Sequence, residues 1–228
     1  MERFSRTEKL IGKQSVELLK NSKVLIFGVG GVGGFTAEAL GRAGVGTVDV
    51  VDKDVVSESN INRQIIALSS TVGMKKTEII KKRLEDINPD IKVKVFDMFY
   101  LPENAHEIDF SGYDYIVDAV DTVSAKIEIV LRAKQSGVKI VSAMGAGNKL
   151  DATRFEITDL YKTESCPLAR VMRKELRARG IERLDVVYSK EPPVKTEGTP
   201  ASISYVPSVC GLLIAQKVIT DLIKKADH

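Results

Sequence analysis

Short apolar runs alternate along this chain with longer stretches in which apolar residues return every three or four positions. That alternation predicts strands separated by helices. The first run, "KVLIF" (23–27), breaks into the glycine stretch "GVGGVGG" (28–34), and "FTAEALGRAG" (35–44) then reads as a helix whose small residues let it lie close to a sheet. "TVDVVD" (47–52) is the second strand and ends at Asp52. Over residues 74–87, Ile79, Ile80, Leu84 and Ile87 recur at helical spacing. This helix must stop near Asn88, because Pro89 disfavours helical backbone in the residue before it. "KVKVF" (92–96), "DYIVDAV" (114–120) and "VKIVSAM" (138–144) supply further strands, with a helix at about 122–136 between the last two. The rhythm is that of a mostly parallel sheet covered by helices, a doubly wound α/β fold.

Beyond residue 144 the character changes. "TRFEITD" (153–159) reads as a strand, "CPLARVMRKELRARG" (166–180) as a helix, "LDVVY" (184–188) as a strand, and "SKEPPVKTEGTP" (189–200) as a mobile loop; a helix at 207–223 closes the pattern. The expected organisation is one domain over 1–228. It comprises a helical arm (1–22), a nucleotide-binding core (23–144), a basic insertion with its loop (145–206) and a C-terminal helix (207–228). The fold class is thus a doubly wound, mostly parallel Rossmann-like sheet with a C-terminal α+β elaboration.

Composition narrows the setting. With 228 residues and 43% hydrophobic content the chain is large enough to build a core without disulfides or metal. Cys166 and Cys210 form no CxxC pair, which argues against a zinc knuckle and favours a reducing compartment. The N-terminal stretch is charged throughout, and the longest apolar run, "VCGLLIA" (209–215), is far short of the ~20 residues of a membrane span. A soluble, cytoplasmic protein without stable membrane insertion is expected.

Gly28, Gly30 and Gly33 fit G-x-G-x-x-G directly after a strand and before a helix, the context in which a backbone turn admits a phosphate to a helix N-terminus. Asp52, ending the second strand, is placed to accept hydrogen bonds from ribose hydroxyls. NAD enzymes and one class of ATP users share this pattern. No G-x-x-x-x-G-K-[ST] is present, so ATP would need cations from elsewhere in the chain. Arg63 in "SNINRQ" and Lys75 and Lys76 in "VGMKKTE" follow the second strand and are placed to supply them.

"GVGGVGG", "VDKDVVSESNINRQ", "VGMKKTEIIKKRLEDINPDI" and "YIVDAVDTVSAK", occurring in this order, closely resemble the ThiF/MoeB/HesA superfamily, relatives of the ubiquitin-activating enzymes. The resemblance implies adenylation of a carboxylate with ATP and Mg2+. By similarity Gly28, Gly30, Gly31, Gly33, Asp52, Asp54, Asn60, Arg63 and Lys76 contact the nucleotide, and Asp121 holds the metal. Arg6, rather than Arg3 one helical turn away, would reach the ATP of a neighbouring subunit in a homodimer. Asp118 is expected to be a strand-end residue satisfied by backbone amides. Within the superfamily, "MGAGNKLDATRFEITDLYKTESCPLARVMRKELRARG" and "PSVCGLLIAQKV" resemble the tRNA threonylcarbamoyladenosine dehydratase group. That resemblance implies a tRNA carrying threonylcarbamoyladenosine as substrate, and it admits a sulfur-mobilising protein partner.

Charge patterning bears on the tRNA. Residues 162–195 hold nine basic and five acidic side chains, while the rest of the chain holds 25 and 26, so the net positive charge resides in this segment. Arg170, Arg173, Lys174 and Arg177 recur at helical spacing as a basic face, with Leu168, Val171, Met172 and Leu176 as the apolar one. Such a face suits tRNA phosphates, as it also suits plain solvation. Cys210 reads as a core residue, and Cys166, at a helix start, as a packing residue more than a nucleophile. Two other functions share the glycine motif: an adenylyltransferase acting on the C-terminal glycine of a ubiquitin-like sulfur carrier, and a NAD-dependent oxidoreductase.

Overall fold

The computed structural model describes residues 2–224. Met1 and residues 225–228 lie outside them, so the end of the expected C-terminal segment is not covered. The described chain forms α1 (Ser5–Asn21), β1 (Lys23–Phe27), α2 (Gly33–Ala43), β2 (Thr47–Val51), α3 (Lys76–Ile87), β3 (Val95–Phe96), β4 (Tyr115–Asp118), α4 (Val123–Gln135), β5 (Lys139–Ala143), β6 (Phe155–Asp159), α5 (Pro167–Arg177), β7 (Asp185–Ser189) and α6 (Tyr205–Ile223). Their sheet runs in the order β3-β2-β1-β4-β5-β7-β6. All neighbours are parallel except β6 and β7, which pair antiparallel at the edge.

Two strands of the segment expected as an elaboration therefore extend the same sheet. β7 lies beside β5, and β6 folds back on β7. The five-residue strand expected at 92–96 shortens to Val95–Phe96, with one isolated bridge from Lys92 to Thr47. α3 begins at Lys76 rather than residue 74, because Gly73 takes a left-handed turn (φ 85°) just before it and Lys75 is still extended. It stops at Ile87, and Asn88 ahead of Pro89 is extended (φ −140°).

β1 is buried on both faces, which explains its unbroken apolar run. Val24 and Ile26 enter the core under α2 and α6, while Leu25 and Phe27 enter the core under α4 and α5. α6 has the length and composition of a membrane span, yet half of its apolar window is buried in the protein. Val206, Cys210, Ile214, Val218 and Leu222 recur every fourth residue along its buried face. Each such apolar side chain contributes roughly 1.5–3 kcal/mol relative to exposure. Gly211 lets the helix approach α2 closely, where the Thr36 hydroxyl donates to the Gly211 carbonyl at 2.9 Å.

Register sets the working edge. Phe27 is level with Val51 on one side and Asp118 on the other, and Asp118 is level with Ser142. Four parallel strands thus end together, with β1 at the point where the chain switches from one half of the sheet to the other. Ligands of open α/β sheets bind at such switch points. At this edge Asp118 and Lys126, both fully buried, form an ion pair at 2.9 Å. The Ser142 hydroxyl donates to Asp118, and Lys126 Nζ donates to the Val120 carbonyl at 3.1 Å. The expectation of backbone amides as the partners of Asp118 is corrected: among the described residues only the Val120 amide approaches it, at 3.3 Å, and a lysine supplies the charge. Removing Lys126 would leave that carboxylate buried without a counter-ion. Lys126→Met is expected to lower stability by about 3–5 kcal/mol in urea denaturation, with Asp118→Asn recovering part of the loss in the double variant.

Candidate active site

The strands end at a cleft of about 970 Å3 that runs along the C-terminal edge from β3 to β5. Its floor is the glycine turn. Gly28 has φ 85°, and a Cβ there would lie 2.8 Å from the Ala119 carbonyl oxygen. A Cβ on Gly33 would sit 1.8 Å from the Gly28 carbonyl oxygen, so only glycine lets α2 begin where it does. Gly28, Gly30 and Gly31 line the cleft, whereas Gly33 is buried beneath it as a packing residue. At Gly30 the nearest side chain is Gln64, 3.7 Å from a hypothetical Cβ, so the space over this glycine is open to a ligand.

Asp52 stands just beyond β2. Its two carboxylate oxygens accept the amides of Val29 and Asp54, both at 2.8 Å, which fixes the carboxylate while leaving lone pairs toward the cleft. On the same side Met98, Phe99 and Tyr100 make an apolar wall, with the Lys53 ammonium 4.6 Å from the Phe99 ring centre. The Tyr100 ring packs on Phe27 at 4.6 Å, and burial pushes its phenol above the usual range. This wall was not foreseen, since three side chains after a weak strand carry no sequence signature of a base-binding surface.

Cations come from the segment between β2 and α3. Asn60 is buried, and its side chain accepts the Ser57 amide at 3.2 Å, holding the turn that presents Arg63. The Arg63 guanidinium donates to the Ser59 carbonyl at 2.8 Å and the Asn62 side chain at 2.9 Å, keeping its remaining donors for the cleft. Lys76, at the start of α3, lines the cleft and bonds Asp54 at 2.8 Å. Lys75 instead turns to Asp97, away from the cleft. Asp121 lines the opposite side, exposed, and among the described residues its side chain meets only the Thr122 hydroxyl, at 3.5 Å. Two buried polar atoms of cleft residues, Gln64 Oε1 and Tyr100 Oη, lack a hydrogen-bond partner among the described residues, as expected of a surface made for a ligand.

The far end is closed by the loop after β7. Asn148, left-handed at φ 59°, accepts the Val194 amide and donates its own amide to the Ala201 carbonyl, both at 2.7 Å. The Asn62 side chain adds a bond to the Ser202 carbonyl at 3.0 Å. The loop is thereby tied over the cleft, with Pro193, Thr199, Pro200, Ala201 and Ser202 facing in.

α5 starts at the same end, where Cys166, Pro167 and Leu168 line the cleft. The Cys166 thiol is buried and accepts the Ala169 amide at 3.5 Å as the cap of α5. Cys210 lies in the core, where burial pushes its thiol up to about 12. Of the basic face, Arg170 and Lys174 are exposed and carry no ion pair among the described residues. Arg173 is engaged with Thr163, and Arg177 lies 5.0 Å over the Tyr161 ring. Val171, expected on the apolar face, is 42% exposed; Ala169 is buried in its place beside Met172 and Leu176. Arg6 is exposed on α1 and lines no part of its own chain's cleft.

Comparison with known proteins places this geometry. The tRNA threonylcarbamoyladenosine dehydratase of Bacillus subtilis is 42% identical, with 98% of this chain and 96% of that protein aligned. The enzyme of the same name from Escherichia coli is 36% identical over 87% of this chain and 78% of its own. The crystal structure of the E. coli enzyme, TcdA, in complex with ATP superposes with a TM-score of 0.93 at 32% identity, covering 99% of this chain and 96% of that one. The ThiF family model matches residues 4–228. The chain belongs to the ThiF family.

Proposed function

We propose that this chain is an ATP-dependent dehydratase that cyclises the threonylcarbamoyl group on the tRNA adenosine beside the anticodon. One observation carries the reading: a single cleft joins a ribose-ready carboxylate, a set of phosphate-ready cations and, at its far end, a helix with a basic outer face. The likeness to dehydratases over nearly the whole length supports the same conclusion. A carrier-protein adenylyltransferase would share the nucleotide half of the cleft but has no use for the basic helix.

The chemistry follows from the placement. Asp52 takes the ribose, the wall at Met98–Tyr100 the base, and Gly28, Gly30 and Gly31 the phosphates through their backbone. The threonyl carboxylate attacks the α-phosphate and displaces pyrophosphate, on which Arg63 and Lys76 stabilise the growing negative charge. The acyl-adenylate is then attacked by the carbamoyl group of the same substituent. Closure expels AMP, which carries away the carboxylate oxygen, so the net change in the nucleoside is loss of water. Tethering makes the second step intramolecular, and AMP replaces a poor leaving group by a good one. Asp121, a carboxylate without an ion pair among the described residues, would hold Mg2+ together with the nucleotide's own oxygens; the ion commonly takes only one or two carboxylates, and when bound it neutralises phosphate charge. No cluster of three or more metal-binding side chains occurs among the described residues, which fits this shared coordination. Arg6 serves the cleft of a second copy, making the working unit a homodimer, and the setting is the cytoplasm.

The direct test is AMP release from ATP and magnesium in the presence of threonylcarbamoylated tRNA, with mass analysis of the nucleosides under mild conditions. AMP together with a nucleoside lighter by one water is expected; AMP formation with a Gly-Gly carrier protein and none with tRNA would overturn the substrate. Arg63→Ala and Lys76→Ala should each lower kcat by roughly 10²–10³-fold without changing the circular dichroism spectrum. The double variant Arg170→Glu/Lys174→Glu should weaken tRNA binding and flatten its dependence on salt by about one unit of slope per lost phosphate contact. An unchanged slope would remove α5 from the tRNA surface.

A further inference from the structure

The strand order assigns each part of the cleft to a different part of the reaction, and the sequence motifs leave one end unexplained. Asp52 follows β2, the glycine turn follows β1 and Asp121 follows β4. The segment 145–149 follows β5, three strand spacings or roughly 14 Å from β2. Lys149 lies in this segment and lines the cleft, although only 4% of its surface is exposed.

Lys149 is a buried charge that makes no ion pair among the described residues. Its ammonium donates to the Glu191 backbone carbonyl, and no carboxylate among the described residues lies within ion-pair distance. The Glu191 carboxylate itself turns instead to the amides of Leu150 and Asp151, at 3.0–3.2 Å. Burial holds the Lys149 pKa below the usual lysine range; Cys166 and Glu191 act against this shift and Arg154 acts with it. Taking an ammonium out of water costs several kcal/mol, and a single neutral carbonyl does not offset that. A buried charge of this kind needs an anion, and the open side of Lys149 is the cleft. The N-terminus of α5 reaches the same wall through Cys166, Pro167 and Leu168, and its dipole adds positive potential there.

We infer that Lys149, with the start of α5 behind it, forms the acceptor subsite, which receives the carboxylate of the tRNA-borne threonylcarbamoyl group and presents it to the α-phosphate. This rests on the substrate reading above. The Arg63 and Lys76 cations sit toward the β2 side and serve the nucleotide; Lys149 sits toward β5 and serves the group that attacks it. Once the carboxylate is adenylated, its charge is lost and the ammonium no longer holds it, which frees the acyl group for ring closure.

The test compares two tRNA ligands, one carrying the threonylcarbamoyl carboxylate and one carrying its carboxamide, bound to the full chain loaded with an ATP analogue that has a methylene between the α- and β-phosphates. The wild-type chain should prefer the carboxylate roughly 10- to 100-fold, as expected of a charge-assisted hydrogen bond. Lys149→Gln should bring the ratio close to one, and Lys149→Arg should keep most of it. Affinity for the ATP analogue without tRNA should be the same in all three, which also reports an intact fold. A Lys149→Gln chain that keeps the preference would overturn the subsite, as would one that loses ATP affinity, since that would place Lys149 with the phosphates. A wild-type chain that binds both tRNAs alike would overturn the subsite alone, whereas one that binds neither would sink the substrate reading itself.

Discussion

The cleft depends on one contact between two backbones. Gly33, in the first turn of α2, rests against the carbonyl of Gly28 so closely that any side chain would collide with it. This contact lets the chain leave β1, turn within five residues and start a helix whose N-terminus faces the space above the sheet. A bulkier residue would push α2 outward, and with it the packing of α6 against α2 at Gly211. Everything that reaches the cleft from β2, β4 and β5 does so because those strands end level with β1.

Charge is then held along the edge in fixed positions. Asp52 is immobilised by two amides, Lys76 is steadied by Asp54, and Arg63 is braced by its own turn. The buried pair of Asp118 and Lys126 contributes no charge to the cleft. It holds the Val120 carbonyl and so the start of the turn that carries Asp121. A preorganised arrangement of this kind stabilises developing charge without rearranging during the reaction. Asn148 completes it by tying the loop after β7 across the far end.

Most of this fold was legible in the sequence because its signals are local. An apolar run ahead of a glycine turn, a proline after a helix and apolar residues at helical spacing each report on a few adjacent residues, and β1, α2, α3, α4 and α6 appear close to where these signals put them. The joining of β6 and β7 to the sheet was not legible, since strand pairing over distance leaves no local mark. The part of the cleft from Gly28 to Asp121 carries sequence motifs in a recognisable order. The wall after β5 does not: Lys149 looks ordinary until the fold buries it beside the cleft. Lys126 was hidden for the same reason, as a lysine on a helix reads as solvated until its partner at the end of the preceding strand is seen beside it.

The central claim is that the cleft joins the substrate's carboxylate to the α-phosphate of ATP. The most direct measurement follows one atom. Threonylcarbamoylated tRNA labelled with heavy oxygen in the carboxylate is converted by the enzyme with ordinary ATP, and the AMP is examined by mass spectrometry. Attack of the carboxylate on the α-phosphate predicts that each AMP gains one labelled oxygen. Unlabelled AMP, with the nucleoside still losing water, would mean that the phosphate is transferred elsewhere and would contradict the account.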